Sequence, residues 1–170
     1  MHRLLQYILL FLAVVALQIF LFDNLQLSLY VHPFVYLAFV LLLPMEIKGY
    51  LLLLLALLVG ATIDLFSGMP AVNTIATVFI AFCRPTVLRL FVGKDVLEDG
   101  GIPNVRKLGV GKFLRYAFVL ILLHSFVFFV LETMTLTGFG YTALRIGISA
   151  VCTTIVVYFC QLLFKSNSSR

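Results

Sequence analysis

Apolar residues fall along this chain in six blocks: Leu4 to Phe22, Pro33 to Pro44, Tyr50 to Phe66, Ala71 to Val92, Phe113 to Leu131 and Thr142 to Phe164. A bilayer core about 30 Å thick takes about 20 apolar residues per helical crossing, so every block but the second reads as a span. The second holds about 12 residues between two prolines, which as an α-helix would rise only about 18 Å. It is expected either as a short span in locally thinned bilayer or as a re-entrant segment. The predicted fold is an all-α membrane protein, a polytopic bundle of about six transmembrane helices forming one integral membrane domain over residues 1–170. Residues 93–112, rich in glycine and carrying charges of both signs, read as a linker within that domain.

The blocks are organised around Gly60 to Pro85. Ser67-Gly68-Met69-Pro70 is a turn signal between two apolar runs, so the third and fourth spans should form a helical hairpin. Asp64 lies deep in the first of these runs, while Arg84 and Pro85 interrupt the second. Pro85 is expected to kink its helix, and Arg84 and Arg89 to snorkel toward the headgroups.

Composition changes the picture in one respect. At 63% hydrophobic residues and a mean hydropathy of +1.16, the chain cannot clothe a soluble domain in polar residues. The first apolar block ends Phe20-Leu21-Phe22-Asp23 without a small-x-small cleavage site, so it is expected to be a retained span. The net charge of +5 reports orientation rather than a nucleic-acid partner. With the N-terminus inside and six crossings, every one of the 12 Lys and Arg residues except Arg145 falls on the cytoplasmic side. The linker is then cytoplasmic, with its basic excess facing anionic lipid or a cytosolic protein.

Candidate chemistry is sparse. Asp64 and Arg145 should lie at similar depth, and a pair between them would lock the third helix to the sixth. The competing reading has Asp64 capping the turn while Arg145 snorkels outward. Ala56, Gly60 and Asp64 share one face of the third span, and Ala143, Gly147, Ala150 and Thr154 make a small-residue stripe on the sixth, as close helix approach would require. Asn73, Thr77, Ala81 and Arg84 line the fourth span, where they could form a polar seam with Tyr116 and His124 of the fifth; Glu132 closes the fifth span. His124, near mid-bilayer, needs a hydrogen-bond partner and reads as a packing residue before a catalytic one. No metal-site spacing, nucleophile elbow or phosphate-binding glycine loop occurs, so neither enzyme activity nor a cofactor is expected. Cys83, Cys152 and Cys160 read as buried apolar residues.

The chain resembles the rod shape-determining protein MreD family. The resemblance runs through the Gln18 to Leu25 segment, Leu43-Pro44, Gly60-x-x-x-Asp64-Leu-Phe-Ser, Ala81-Phe-Cys-Arg-Pro85, Tyr116 through His124 to Leu131-Glu132, and Arg145-Ile with Ser149. It implies a non-enzymatic inner-membrane scaffold of the elongation machinery; the count of basic residues over six crossings separately puts both termini in the cytoplasm. The partners that the resemblance implies are an MreC-like single-span protein and, through it, MreB-type filaments and the wall-synthesis glycosyltransferase and transpeptidase. The same family is similar in fold to the small-molecule-binding subunits of energy-coupling-factor transporters, which supplies a rival reading: substrate capture at the Asn73, Thr77, Tyr116 and His124 seam. Gly60, Asp64, Pro70, Arg84, Pro85, His124, Glu132 and Arg145 are the residues expected to shape the bundle.

Overall fold

The structure, a computed structural model, describes residues 2–22, 32–133 and 139–163. Residues 23–31, between the first two apolar blocks, and 164–170, after the sixth, lie outside them. Among the described residues eight helices follow one another: α1 (His2–Ala16), which widens into a π-helical stretch (Leu17–Phe22), α2 (Leu37–Leu41), α3 (Gly49–Ser67), α4 (Val72–Phe91), α5 (Lys94–Glu98), α6 (Val105–Leu108), α7 (Val110–Thr133) and α8 (Phe139–Leu163). Five of them, over Leu5–Phe22, Gly49–Ser67, Val72–Phe91, Val110–Thr133 and Gly140–Leu162, are long and apolar enough to cross a membrane. The chain is a multi-pass helical membrane protein.

Burial is arranged as lipid demands. Leu54, Leu58, Leu65, Phe79 and Phe82 point outward, whereas Gln18, Asp64, Asn73, Thr77, Arg84, His124 and Thr153 are buried. Hydrocarbon offers a polar group no partner, so the interior is where such side chains gather.

The hairpin forms where the turn signal puts it. Gly68 adopts the left-handed conformation that ends α3 (φ 68°). Pro70 and Ala71 then reverse the chain; Ala71 also has positive φ (60°), and α4 begins one residue later. A Cβ on Gly60 would lie 2.6 Å from the backbone Cα of Thr74, so only glycine permits this approach of α3 to α4. The helix α4 runs on through Pro85 to Phe91. Packing proceeds serially, α3 along α4, α4 along α7 and α7 along α8.

The second apolar block is the centre of the molecule. Residues Phe34 to Leu43 are at most 3% exposed. α1 runs antiparallel to them, with Gln18 beside Pro33 and Val35, and Phe11 against Phe39. The segment leaves the bundle at the linker, where Met45 N–H donates to Gly101 O (2.9 Å). It therefore runs onward through the bundle, from beside Asn73 to beside Arg84, instead of doubling back, and its helical part is little more than one turn.

The linker is an ordered clasp. Gly101 N–H donates to the Glu46 carboxylate (2.5 Å), Val105 N–H to Gln161 Oε1 (3.1 Å), and Lys107 to the carbonyls of Asp99 and Gly100. Asn104 caps α6 by accepting from Lys107 N–H (2.9 Å). The bundle thus has a turn end, at Ser67–Ala71, and a linker end.

Candidate functional site: a short span capped by other helices

A helix leaves backbone N–H groups unpaired at its start and carbonyls at its finish. In a helix as short as α2, most backbone groups are of this kind, and the surrounding lipid offers them no hydrogen bond. Side chains from other helices do so. At its N-terminal side, Gln18 of the π-helical stretch accepts from Val35 N–H (2.8 Å) and donates to Pro33 O (3.1 Å). From α8, Ser149 Oγ accepts from His32 N–H (3.1 Å) and Thr153 Oγ1 from Phe34 N–H (3.0 Å).

At the other side Arg84 takes the carbonyls. Its guanidinium donates to Leu41 O and Pro44 O (3.4 Å each) and to Leu43 O, and its Nε donates to Tyr116 Oη (2.9 Å). Tyr116 in turn donates to Leu41 O (3.0 Å). Five donors in a planar fork suit this cluster as no other side chain would. Arg84 is 1% exposed, so the expectation that it snorkels to the headgroups is wrong: the carbonyl cluster holds it inward. Arg89, with no such cluster, is exposed.

A second chain of hydrogen bonds starts at the turn end. The Asp64 carboxylate accepts from Asn73 N–H and Asn73 Nδ2 (both 3.0 Å), Thr74 N–H (2.8 Å) and Thr74 Oγ1 (2.5 Å). Asp64 thereby caps α4 from the neighbouring helix, at a terminus with no side-chain cap of its own. Beyond it, Tyr36 Oη donates to Asn73 Oδ1 (2.9 Å) and lies 2.9 Å from His124 Nε2. Phe34 and Phe128 rings wall the imidazole, with centroids at 4.7 and 6.2 Å.

The proposed Asp64–Arg145 pair does not form. Asp64 is occupied by the first turn of α4, and Arg145 pairs with Glu132 at the end of α7 (2.9 Å), its guanidinium 4.4 Å from the Phe129 ring centroid. The lock between third and sixth spans is likewise replaced, by α3 on α4 and α8 on α7. The stripe on α8 is only half buried: Ala143 is exposed, and a Cβ on Gly147 would meet nothing within 4 Å. The inward face of α8 joins Ala150 and Thr154 of that stripe to Thr142, Ile146, Ser149, Thr153, Val157 and Gln161.

The expected seam of Asn73, Thr77, Tyr116 and His124 does assemble, and the chain itself fills it. Tyr36 takes Asn73 and His124, Leu41 O takes Tyr116, and Thr77 Oγ1 turns back to Asn73 O (2.6 Å). Tyr36 and Thr153 go unmarked in the sequence, where Gln18 and Ser149 stand out only through the family resemblance. Their signal was available: polar side chains in apolar blocks, with Ser149, Thr153 and Gln161 at intervals of four and eight.

The site defines a class, a polytopic helical bundle whose interior polar groups bind one another. Comparison with known proteins takes the identification no further, since no family model, curated protein or solved structure matches the chain.

Proposed function

We propose that this protein is a non-enzymatic scaffold of the cell-elongation machinery, of the MreD type, in the inner membrane. It would bind an MreC-like single-span protein and through it bring MreB-type filaments and the wall-synthesis glycosyltransferase and transpeptidase into one assembly, and so regulate cell shape and lateral peptidoglycan synthesis. The linker end faces the cytoplasm in this reading, together with both termini, because basic residues concentrate there.

One observation carries the proposal. Most polar side chains that could have received a substrate are engaged within the protein itself: Arg84 with the carbonyls of Leu41, Leu43 and Pro44, Asp64 with Asn73 and Thr74, and Tyr36 with Asn73 and His124. What the molecule offers outward is apolar helix surface and a basic end, which suits recognition of other helices and of anionic lipid. The resemblance in the Gly60 to Pro85 hairpin supplies the identity of the partner.

Co-purification in detergent tests this. A single-span coiled-coil protein should be retained at fixed stoichiometry. A small molecule retained through purification in its place would favour the substrate-capture reading, and turnover of any substrate would end the scaffold reading.

A further inference from the structure

The sense of the hydrogen bonds in the buried chain fixes a tautomer. A carboxylate only accepts, so Asn73 presents Nδ2 to Asp64 and hence Oδ1 to Tyr36. Tyr36 gives its single proton to that Oδ1. Its oxygen can then only accept from His124, and the imidazole carries its proton on Nε2. Every proton in the chain His124, Tyr36, Asn73, Asp64 is directed toward the carboxylate.

The other ring nitrogen is left with a bare lone pair. His124 is 0% exposed, and no described group of the protein donates to Nδ1. The next residue, Ser125, is also 0% exposed, with an Oγ that has no partner. The two lacks are complementary, since a hydroxyl has a proton to give and the imidazole nitrogen has one to receive. Adjacent side chains on a helix point about 100° apart, so a third atom must mediate between them.

We propose that His124 Nδ1 and Ser125 Oγ hold a resident water molecule inside the bundle, donating to Nδ1 and accepting from Ser125. Water is the smallest donor that satisfies both atoms, and buried waters with two to four protein partners are a regular part of folded proteins, about one per 27 residues. With it the chain of hydrogen bonds runs unbroken from Ser125 through His124, Tyr36 and Asn73 to Asp64, linking the middle of α7 to the turn end. The site is independent of the scaffold reading: it takes water whether or not a partner protein binds.

Solid-state nitrogen NMR of full-length protein labelled at histidine and lysine, in lipid bilayers, tests it. The His124 signal, assigned by its loss in His124→Gln, should show a neutral ring protonated at Nε2, with magnetisation passing from water protons to Nδ1. Ser125→Ala should shift the Nδ1 resonance and weaken that transfer. A ring protonated at Nδ1 overturns the proposal. So does an Nδ1 that receives nothing from water while the exposed side chain of Lys48 does, or one that receives magnetisation from lipid protons alone. Unchanged transfer in Ser125→Ala overturns the two-residue site.

Discussion

Asp64 accepts four hydrogen bonds from two consecutive residues of α4. Hydrogen bonds to a charged group contribute about 1.5–3 kcal/mol, and an N-cap about 1. Asp64→Ala should therefore lower stability by about 2–4 kcal/mol, read as the thermal midpoint in detergent. Because Arg145 belongs to Glu132, Asp64→Asn and Arg145→Gln should add, while Glu132→Gln and Arg145→Gln should be sub-additive, with a coupling of about 1 kcal/mol in a double-mutant cycle. Two further positions are decided by backbone geometry. Gly60→Ala puts a methyl against the Thr74 backbone and should cost about 1–3 kcal/mol, whereas Gly147→Ala meets open space and should fall within about 0.5 kcal/mol of the parent. Ala71→Gly should raise the midpoint, because Ala71 sits at positive φ, where a Cβ costs about 1–2 kcal/mol.

Among the elements, α2 depends most on its neighbours. Gln18→Leu or Thr153→Val leaves backbone groups of residues 33–35 unmet, and each should cost about 1–3 kcal/mol by equilibrium unfolding. Arg84→Ala should deplete folded protein more severely, and millimolar guanidinium in the medium should restore part of it. Arg84→Lys should not substitute, since an ammonium cannot serve carbonyls and a phenol in one plane. The same element shows where sequence reasoning ran out. The five long helices and the turn at 67–71 were legible because uninterrupted apolar runs and Gly and Pro placement determine them locally. Residues 33–44 were not, because what holds a short helix at membrane depth is side chains from remote elements. Similar depth points Asp64 to Arg145, whereas the four donors it takes lie just across the turn, closer to the competing reading in which it caps that turn. The Tyr116 to His124 seam was read correctly as a seam but without Tyr36, the residue that closes it.

At the scale of the whole molecule, opposite ends are chemically distinct. Lys48, Arg89, Lys94, Arg106, Lys112 and Arg115 are exposed toward the linker end, whereas Arg145, tied to Glu132, lies toward the other. Single cysteines placed at Lys48 and Lys94 in a background lacking Cys83, Cys152 and Cys160 should be labelled from the cytoplasmic side, and one at Ser67 from the opposite side. Labelling of positions 48 and 94 from the outer side and of position 67 from the cytoplasmic side would reverse the orientation proposed here, and labelling of 48 and 67 from one side would remove the crossing by α3.

The dressing of α2 has a consequence for biogenesis. Two of the hydroxyls that close its amino end, Ser149 and Thr153, emerge from the ribosome more than a hundred residues after the backbone they serve. Until α8 is inserted, that stretch of nascent chain carries bare amides in the insertion machinery or in lipid, so maturation waits on the last helix. Truncation just before residue 149 should yield a product that is synthesised, targeted and then degraded, while truncation after Leu163 should accumulate.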